Sequence, residues 1–257
     1  MTTDRTDNNM VISYLTIRKA IGWLGMLLPF ILLAGNFFIN HFDILNNSFF
    51  INTDLTDHYT ADSSWKPSIS HYYYSTVGEL FTGVLSAVAL FMFSYKGFEK
   101  LSHETGLSDS LVTNLAGVFA MGVVVFPTDS AVKINDNIRS FTSSHNTGLI
   151  HLGFAALFFI ALSVMCIVNF RRTGDAAGFG KKEDHNFYLL CGTGMLVCIG
   201  LIFIYSTFLA DKKIEALDRL HPVFSLESVA LVFFGSSWLK KGKVDFSFLF
   251  KKLHLKK

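Results

Sequence analysis

Three ionisable residues lie within long apolar stretches of this chain, namely Glu79, His151 and Glu227. Ionisable side chains inside a membrane are costly and by default suggest function. A histidine nitrogen and two carboxylates form a ligand set that zinc accepts, and the same groups can exchange protons. The three residues can equally form hydrogen bonds that only hold helices together. The residue types alone leave these alternatives open.

Further polar residues stand at similar positions along their apolar stretches. His71, Ser75 and Glu79 recur at i, i+4 and i+8, a spacing that predicts one face of a helix. Asp129 follows Pro127 at the end of another apolar stretch. We therefore predict a set of ligand-binding residues that would share one layer of the molecule: His71, Ser75, Glu79, Asp129, His151 and Glu227. In the zinc alternative, Glu79, His151 and Glu227 hold the ion, and Asp129 or His71 handles the proton of its bound water.

The composition indicates that these residues lie in a membrane protein. The chain has 257 residues, of which 51% are hydrophobic and 16% charged, with a mean hydropathy of +0.40. A soluble domain carries about 25% charged residues. Six apolar stretches approach the ~20 residues that cross a bilayer, and we predict an all-α, six-helix membrane bundle with these spans: Ala20–Ile39, Tyr74–Tyr95, Leu111–Phe126, Gly148–Phe170, Phe187–Leu209 and Val223–Leu239.

The distribution of positive charge predicts the orientation of the bundle. If the six spans alternate in direction, sixteen of the 22 Lys and Arg residues fall on one side and six on the other. Positive residues stay in the cytoplasm, so both termini are predicted to be cytoplasmic. Residues 40–73 then form a long outer loop, and residues 240–257 form a basic cytoplasmic tail. A net charge of +2 without a clustered basic face argues against nucleic-acid binding.

Several strings resemble a large set of uncharacterised bacterial six-span membrane proteins. They include Pro67-Ser-Ile-Ser-His, Glu79-Leu-Phe-Thr-Gly, Phe126-Pro-Thr, His151-Leu-Gly-Phe and the long string that begins at Glu227. The resemblance implies a single six-span domain in the bacterial inner membrane, and it implies no established activity. More distantly, the Pro67 and His151 strings are similar to a six-span family of autophagy modulators and lipid-anchor remodelling factors, which hints at lipid handling.

A comparison with membrane hydrolases of the alkaline ceramidase type weakens the zinc alternative. Those enzymes hold zinc with His and Asp, but this chain has His71-x-x-x-Ser75 in the reverse order and no His-x-x-x-His in its last span. We therefore expect an outward-facing polar pocket that binds a membrane lipid or a small amphiphile. A zinc-dependent lipid hydrolase and a structural or assembly subunit without a ligand are the alternatives.

Overall fold

The computed structural model describes residues 3–41, 65–75, 77–97, 107–129, 144–172, 182–212, 214 and 219–244. This part of the chain is helical and contains no strand. It forms six main helices: α1 (Thr3–His41), α2 (Gly78–Ser94), α3 (Asp109–Val125), α4 (His145–Val164), α5 (Lys182–Ile204) and α6 (Pro222–Lys241). A π-helical turn extends α4 through Met165–Asn169, and another extends α5 through Tyr205–Leu209. A short 3-10 turn, Ser70–Tyr74, precedes α2.

The six helices pack as a closed ring in chain order. Each helix packs against the next one along the chain, and α6 returns to pack against α1. Four segments are long and apolar enough to cross a membrane: Tyr14–Ile39, His145–Asn169, Asp184–Leu209 and Pro222–Lys241. The apolar helices α2 and α3 have 17 residues each, or about 25 Å at 1.5 Å per residue. The all-helical class is thereby confirmed.

Several helix boundaries differ from the sequence prediction. α1 is one helix of 39 residues that begins well before Ala20. The second helix begins at Gly78 instead of Tyr74, because residues 70–74 form a 3-10 turn and Ser75 is extended. Of the predicted outer loop, residues 42–64 lie outside the described residues, as do residues 245–257 of the predicted basic tail.

α1 and α6 approach each other most closely through glycines. A Cβ added at Gly235 would lie 2.5 Å from the carbonyl oxygen of Gly22, and one added at Gly22 would lie 2.7 Å from Leu239 Cγ. Small residues allow helix backbones to approach in this way in membranes. Beside this contact, the fully buried Trp238 ring packs edge-on against Tyr95 and Phe170, with ring centroids 5.1 and 5.3 Å apart.

The ring of helices has two chemically different ends. Residues 65–75 pack over one end, which we call the cap end, where they contact the first turns of α6 and the residues that follow α3. Lys240, Lys241 and Arg18 lie at the other end, which we call the basic end. Since consecutive helices run in opposite directions between these ends, the six sequence-predicted site residues all lie at or near the cap end.

Candidate functional site

Residues 65–75, which we call the cap segment, are joined to the start of α6 by two hydrogen bonds, one to the α6 backbone and one to a side chain of α6. The N–H of Phe224 donates to the carbonyl of Pro67 at 3.1 Å. The N–H of Ile69 donates to Oε2 of Glu227 at 2.6 Å. The first N–H groups of a helix lack partners within the helix. The Pro67 carbonyl supplies such a partner for the N–H of Phe224 in the first turn of α6. Trp65 adds a stacked contact on His221, with ring centroids 5.5 Å apart.

Glu227 therefore has a defined structural partner. It lies partly buried in α6, which begins at Pro222, one residue before the predicted start of the last span. His221, the residue before α6, has a φ of 43°, a left-handed conformation that turns the chain sharply into the helix. The Glu227 carboxyl group faces the cap segment, and its hydrogen bond fits the alternative in which this residue holds elements together.

His71 lies within the cap segment instead of on a helix face. Its Nδ1 shares a hydrogen bond with the hydroxyl group of the buried Ser68, with 2.6 Å between the two atoms. The pKa of His71 is lowered to about 4, chiefly by burial and also by the nearby His151 and Lys66, while Asp129 opposes the shift. The ring is consequently neutral at physiological pH.

Ser75 separates His71 from Glu79. Its hydroxyl donates to the carbonyl of Tyr72 at 2.7 Å, and its oxygen accepts the N–H of Val77 at 3.3 Å. Serine side chains often compete with helical hydrogen bonds in this manner. The prediction that His71, Ser75 and Glu79 share one helix face is therefore wrong, because the α-helix starts only at Gly78.

His151 closes the end of α3. Its side chain is 3% exposed, and its Nδ1 lies 2.7 Å from the carbonyl oxygen of Phe126. A carbonyl oxygen can only accept, so Nδ1 carries the proton and donates. The last carbonyls of a helix lack intrahelical partners, and Pro127 has no N–H to offer. Nε2 of His151 is buried and has no hydrogen-bond partner among the described residues. The helix that carries His151 is capped by Ser144 and Thr147.

Asp129 lies on the surface of the cap end. Its carboxylate is 56% exposed and stands 3.7 Å from Nδ1 of His145. A Cβ added at Gly148 would lie 2.7 Å from Asp129 Cβ, so the glycine allows the chain after α3 to pass close to α4. Asp129 thus pairs with His145 and acts on His71 through its charge.

The described part of the chain contains no set of side chains arranged as the zinc alternative requires. No group of three or more His, Cys, Asp or Glu side chains there is arranged to hold a metal ion. Glu227 contacts the Ile69 N–H, His151 contacts the Phe126 carbonyl, and Glu79 lies in a separate groove. The three residues occupy the same end of the molecule but different surroundings.

Glu79 lies at the cap-end mouth of a groove between α2 and α3. The groove has a volume of about 440 Å³. One wall comes from the polar face of α2, the other from the end of α3, and the lining consists of Tyr73, Glu79, Thr82, Gly83, Ser86, Val124 and Val125. Glu79 and Gly83 are exposed, and a Cβ added at Gly83 would meet no atom within 4 Å. This groove offers space for a ligand at the cap end.

Comparison with known families covers the parts of the chain that build this end. A family model described as Protein of unknown function (DUF998) matches residues 50–239. The chain belongs to this family. The match confirms the resemblance to an uncharacterised membrane family and includes the cap segment, the groove and Glu227. Comparisons with curated proteins and with solved structures give no match.

The basic end holds a buried polar cluster that the sequence analysis missed. Arg18 is 6% exposed and donates to the Lys241 carbonyl at 3.2 Å and to the Tyr95 hydroxyl at 3.1 Å. Asn169 lies in the π-helical turn after α4 and donates to Oδ1 of the buried Asp109 at 2.8 Å. In the sequence, Arg18 counts only among the sixteen positive residues that predict the orientation of the bundle. Asn169, a polar residue inside an apolar stretch, was the available sign of the cluster.

Lys241 completes this cluster from α6. Its Nζ donates to the carbonyl of Phe170 at 3.0 Å and lies 5.2 Å from the centre of the Phe170 ring. Arg18 and Lys241 thus both donate to carbonyls near helix C-termini, where positive groups are favourable. These contacts join α1, α4 and α6. The cluster therefore has a structural role, because it holds the helices together at the basic end.

Proposed function

We propose that this member of the DUF998 family crosses the membrane six times and binds a lipid or a small amphiphile at its cap end. Four segments are long enough to cross alone. The two 17-residue helices lie in the same closed ring, and a short helix can cross an upright or locally thinned bilayer. The excess of Lys and Arg at the basic end favours cytoplasmic termini, so that the cap end faces outward across a bacterial inner membrane.

The groove between α2 and α3 is the observation that carries the binding proposal. It combines polar groups (Glu79 and Thr82) with apolar ones (Val124 and Val125) in about 440 Å³. Ligand sites typically have volumes of 300–1,000 Å³ and combine apolar walls with a few polar groups. Val125, which lines the groove, is 39% exposed at the end of α3. A ligand could thus enter from the lipid as well as from water.

Filling the groove tests the proposal. Gly83→Leu places a large side chain in the groove, and since a Cβ there meets no atom within 4 Å, the helix should tolerate it. Gly200→Leu on α5 is the matched control, because Gly200 is also exposed and has the same free space. Both changes replace glycine by a better helix former, so both proteins should fold at least as well as the wild type.

Each protein is purified and extracted from nanodiscs, and the phospholipid that it retains is measured by native mass spectrometry. We expect wild type and Gly200→Leu to retain one or more lipids and Gly83→Leu to lose at least one of them. Equal retention by all three proteins would contradict binding in the groove and favour the structural or assembly alternative.

A further inference from the structure

The exposed face of α2 changes character along its length. Near the cap end it presents Glu79, Thr82, Gly83 and Ser86, and further along it presents Leu90 and Phe93, which are 64% and 42% exposed. The spacings among Glu79, Gly83, Ser86 and Leu90 are four, three and four residues, which places them on one side of a helix. The face is therefore polar at the membrane boundary and apolar at greater depth.

The charge in the groove selects the sign of its ligand. Glu79 is the one charged residue among the seven that line the groove. The Thr82 hydroxyl donates to the carbonyl of Gly78 at 3.1 Å, which leaves its oxygen able to accept. A primary ammonium group has three donors and no acceptor. Carboxylate and hydroxyl oxygens within one helical turn are thus complementary to such a group.

The length of the face matches the chain of a lipid. Seven residues separate Glu79 from Ser86, or about 10 Å, and eleven separate it from Leu90, or about 16 Å. The hydrocarbon core of a bilayer is about 30 Å thick, so half of it is about 15 Å. A small soluble amine would use only the Glu79 end, whereas a lipid would also cover Leu90 and the valines of α3.

We propose that the groove selects phospholipids whose headgroup ends in a primary ammonium, with that group at Glu79 and an acyl chain along α2 toward Leu90. This inference rests on the proposed function, since it names the class of lipid that the same groove takes. Glu79 recognises the headgroup, and the apolar part of the face retains the chain.

Lipid competition tests the headgroup selectivity. Wild-type protein in nanodiscs containing equal amounts of phosphatidylethanolamine and phosphatidylglycerol should co-purify with the former in roughly three- to fivefold excess, the upper part of the range that exposed ion pairs produce. Glu79→Gln keeps the shape of the side chain but removes its charge, and the ratio should fall to near one. Asp184→Asn is the control for the loss of one carboxylate charge, because Asp184 lies at the basic end, 2.8 Å from Lys240 Nζ, and does not line the groove. Its ratio should equal that of the wild type.

Each result separates the two proposals. Suppose that the wild type retains lipid and Gly83→Leu loses it. If the headgroup ratio of the wild type is then near one, or is unchanged in Glu79→Gln, the headgroup inference is overturned and the proposed function stands. If Gly83→Leu retains lipid normally, both fail. A third arm adds free ethanolamine at millimolar concentration. Displacement of the lipid by ethanolamine alone would overturn the role of the acyl chain, and continued retention supports it.

Discussion

Removal of the Glu227 side chain should loosen the cap segment at one identifiable amide. Ile69 is 5% exposed, and its N–H donates to Glu227 Oε2 at 2.6 Å. In Glu227→Ala this N–H loses its partner in a buried position. Glu227→Gln keeps a carbonyl oxygen at nearly the same place and should preserve much of the bond.

The expected magnitude follows from the burial of the amide. A buried donor left without a partner costs about 1–3 kcal/mol, so Glu227→Ala should cost about 2 kcal/mol. At 1.4 kcal/mol per factor of ten, this is roughly a 30-fold rise in the population of open cap segment. Glu227→Gln should cost about 1 kcal/mol, since a neutral acceptor forms the weaker bond.

Hydrogen exchange of the Ile69 amide, measured by mass spectrometry on peptides that cover residues 65–75, reports this opening directly. The exchange rate should rise in the order wild type, Glu227→Gln, Glu227→Ala. Ser228→Ala is the control, because the Ser228 hydroxyl donates within its own helix to the Phe224 carbonyl at 2.7 Å. Unchanged Ile69 exchange in Glu227→Ala would refute the conclusion that Glu227 holds the cap segment.

Three further predictions concern acid stability, helix packing and topology. Because the pKa of His71 is about 4 in the folded protein and 6.5 in the unfolded chain, the unfolded chain binds the proton first. Stability should therefore fall as pH drops from 6.5 toward 4, with up to about 3 kcal/mol of the loss due to His71, and unfolding of wild type against His71→Asn across this range should show a smaller loss in the variant. Gly235→Ala should destabilise the protein by about 1–3 kcal/mol, since its Cβ would lie 2.5 Å from the Gly22 carbonyl; denaturant unfolding checks this, and an unchanged midpoint would contradict the close α1–α6 contact. A reporter fused after Lys257 should be cytoplasmic and one at Lys213 should lie outside, and the reverse result would place the cap end in the cytoplasm.

The sequence by itself determined the class of the protein and the approximate positions of its helices. Long apolar stretches are a property of local composition, and a helix must satisfy its own backbone in lipid wherever such a stretch crosses. The start of α6 was also predictable, because Pro222 is compatible with the first turn of a helix. These features depend on residues close together in the chain.

Short-range spacing failed where the chain left the helical state. The pattern of His71, Ser75 and Glu79 indicates one face only if a single helix includes all three. Ser75 instead bonds to the Tyr72 carbonyl and ends the 3-10 turn. Spacing therefore placed the residues near the correct end of the molecule but not on a common surface.

Only the tertiary structure decided which partner each polar residue has. Glu227 bonds to a backbone N–H that lies 158 residues away in the chain, and His151 bonds to a carbonyl 25 residues away. Every residue except proline offers such backbone groups, so the side-chain types cannot single out a partner. The groove beside Glu79 likewise exists because the packing of α2 and α3 leaves open space at Gly83. Partner choice and open space are products of packing, which is why the sequence predicted that these residues share one end of the molecule and only the structure shows their partners and the groove.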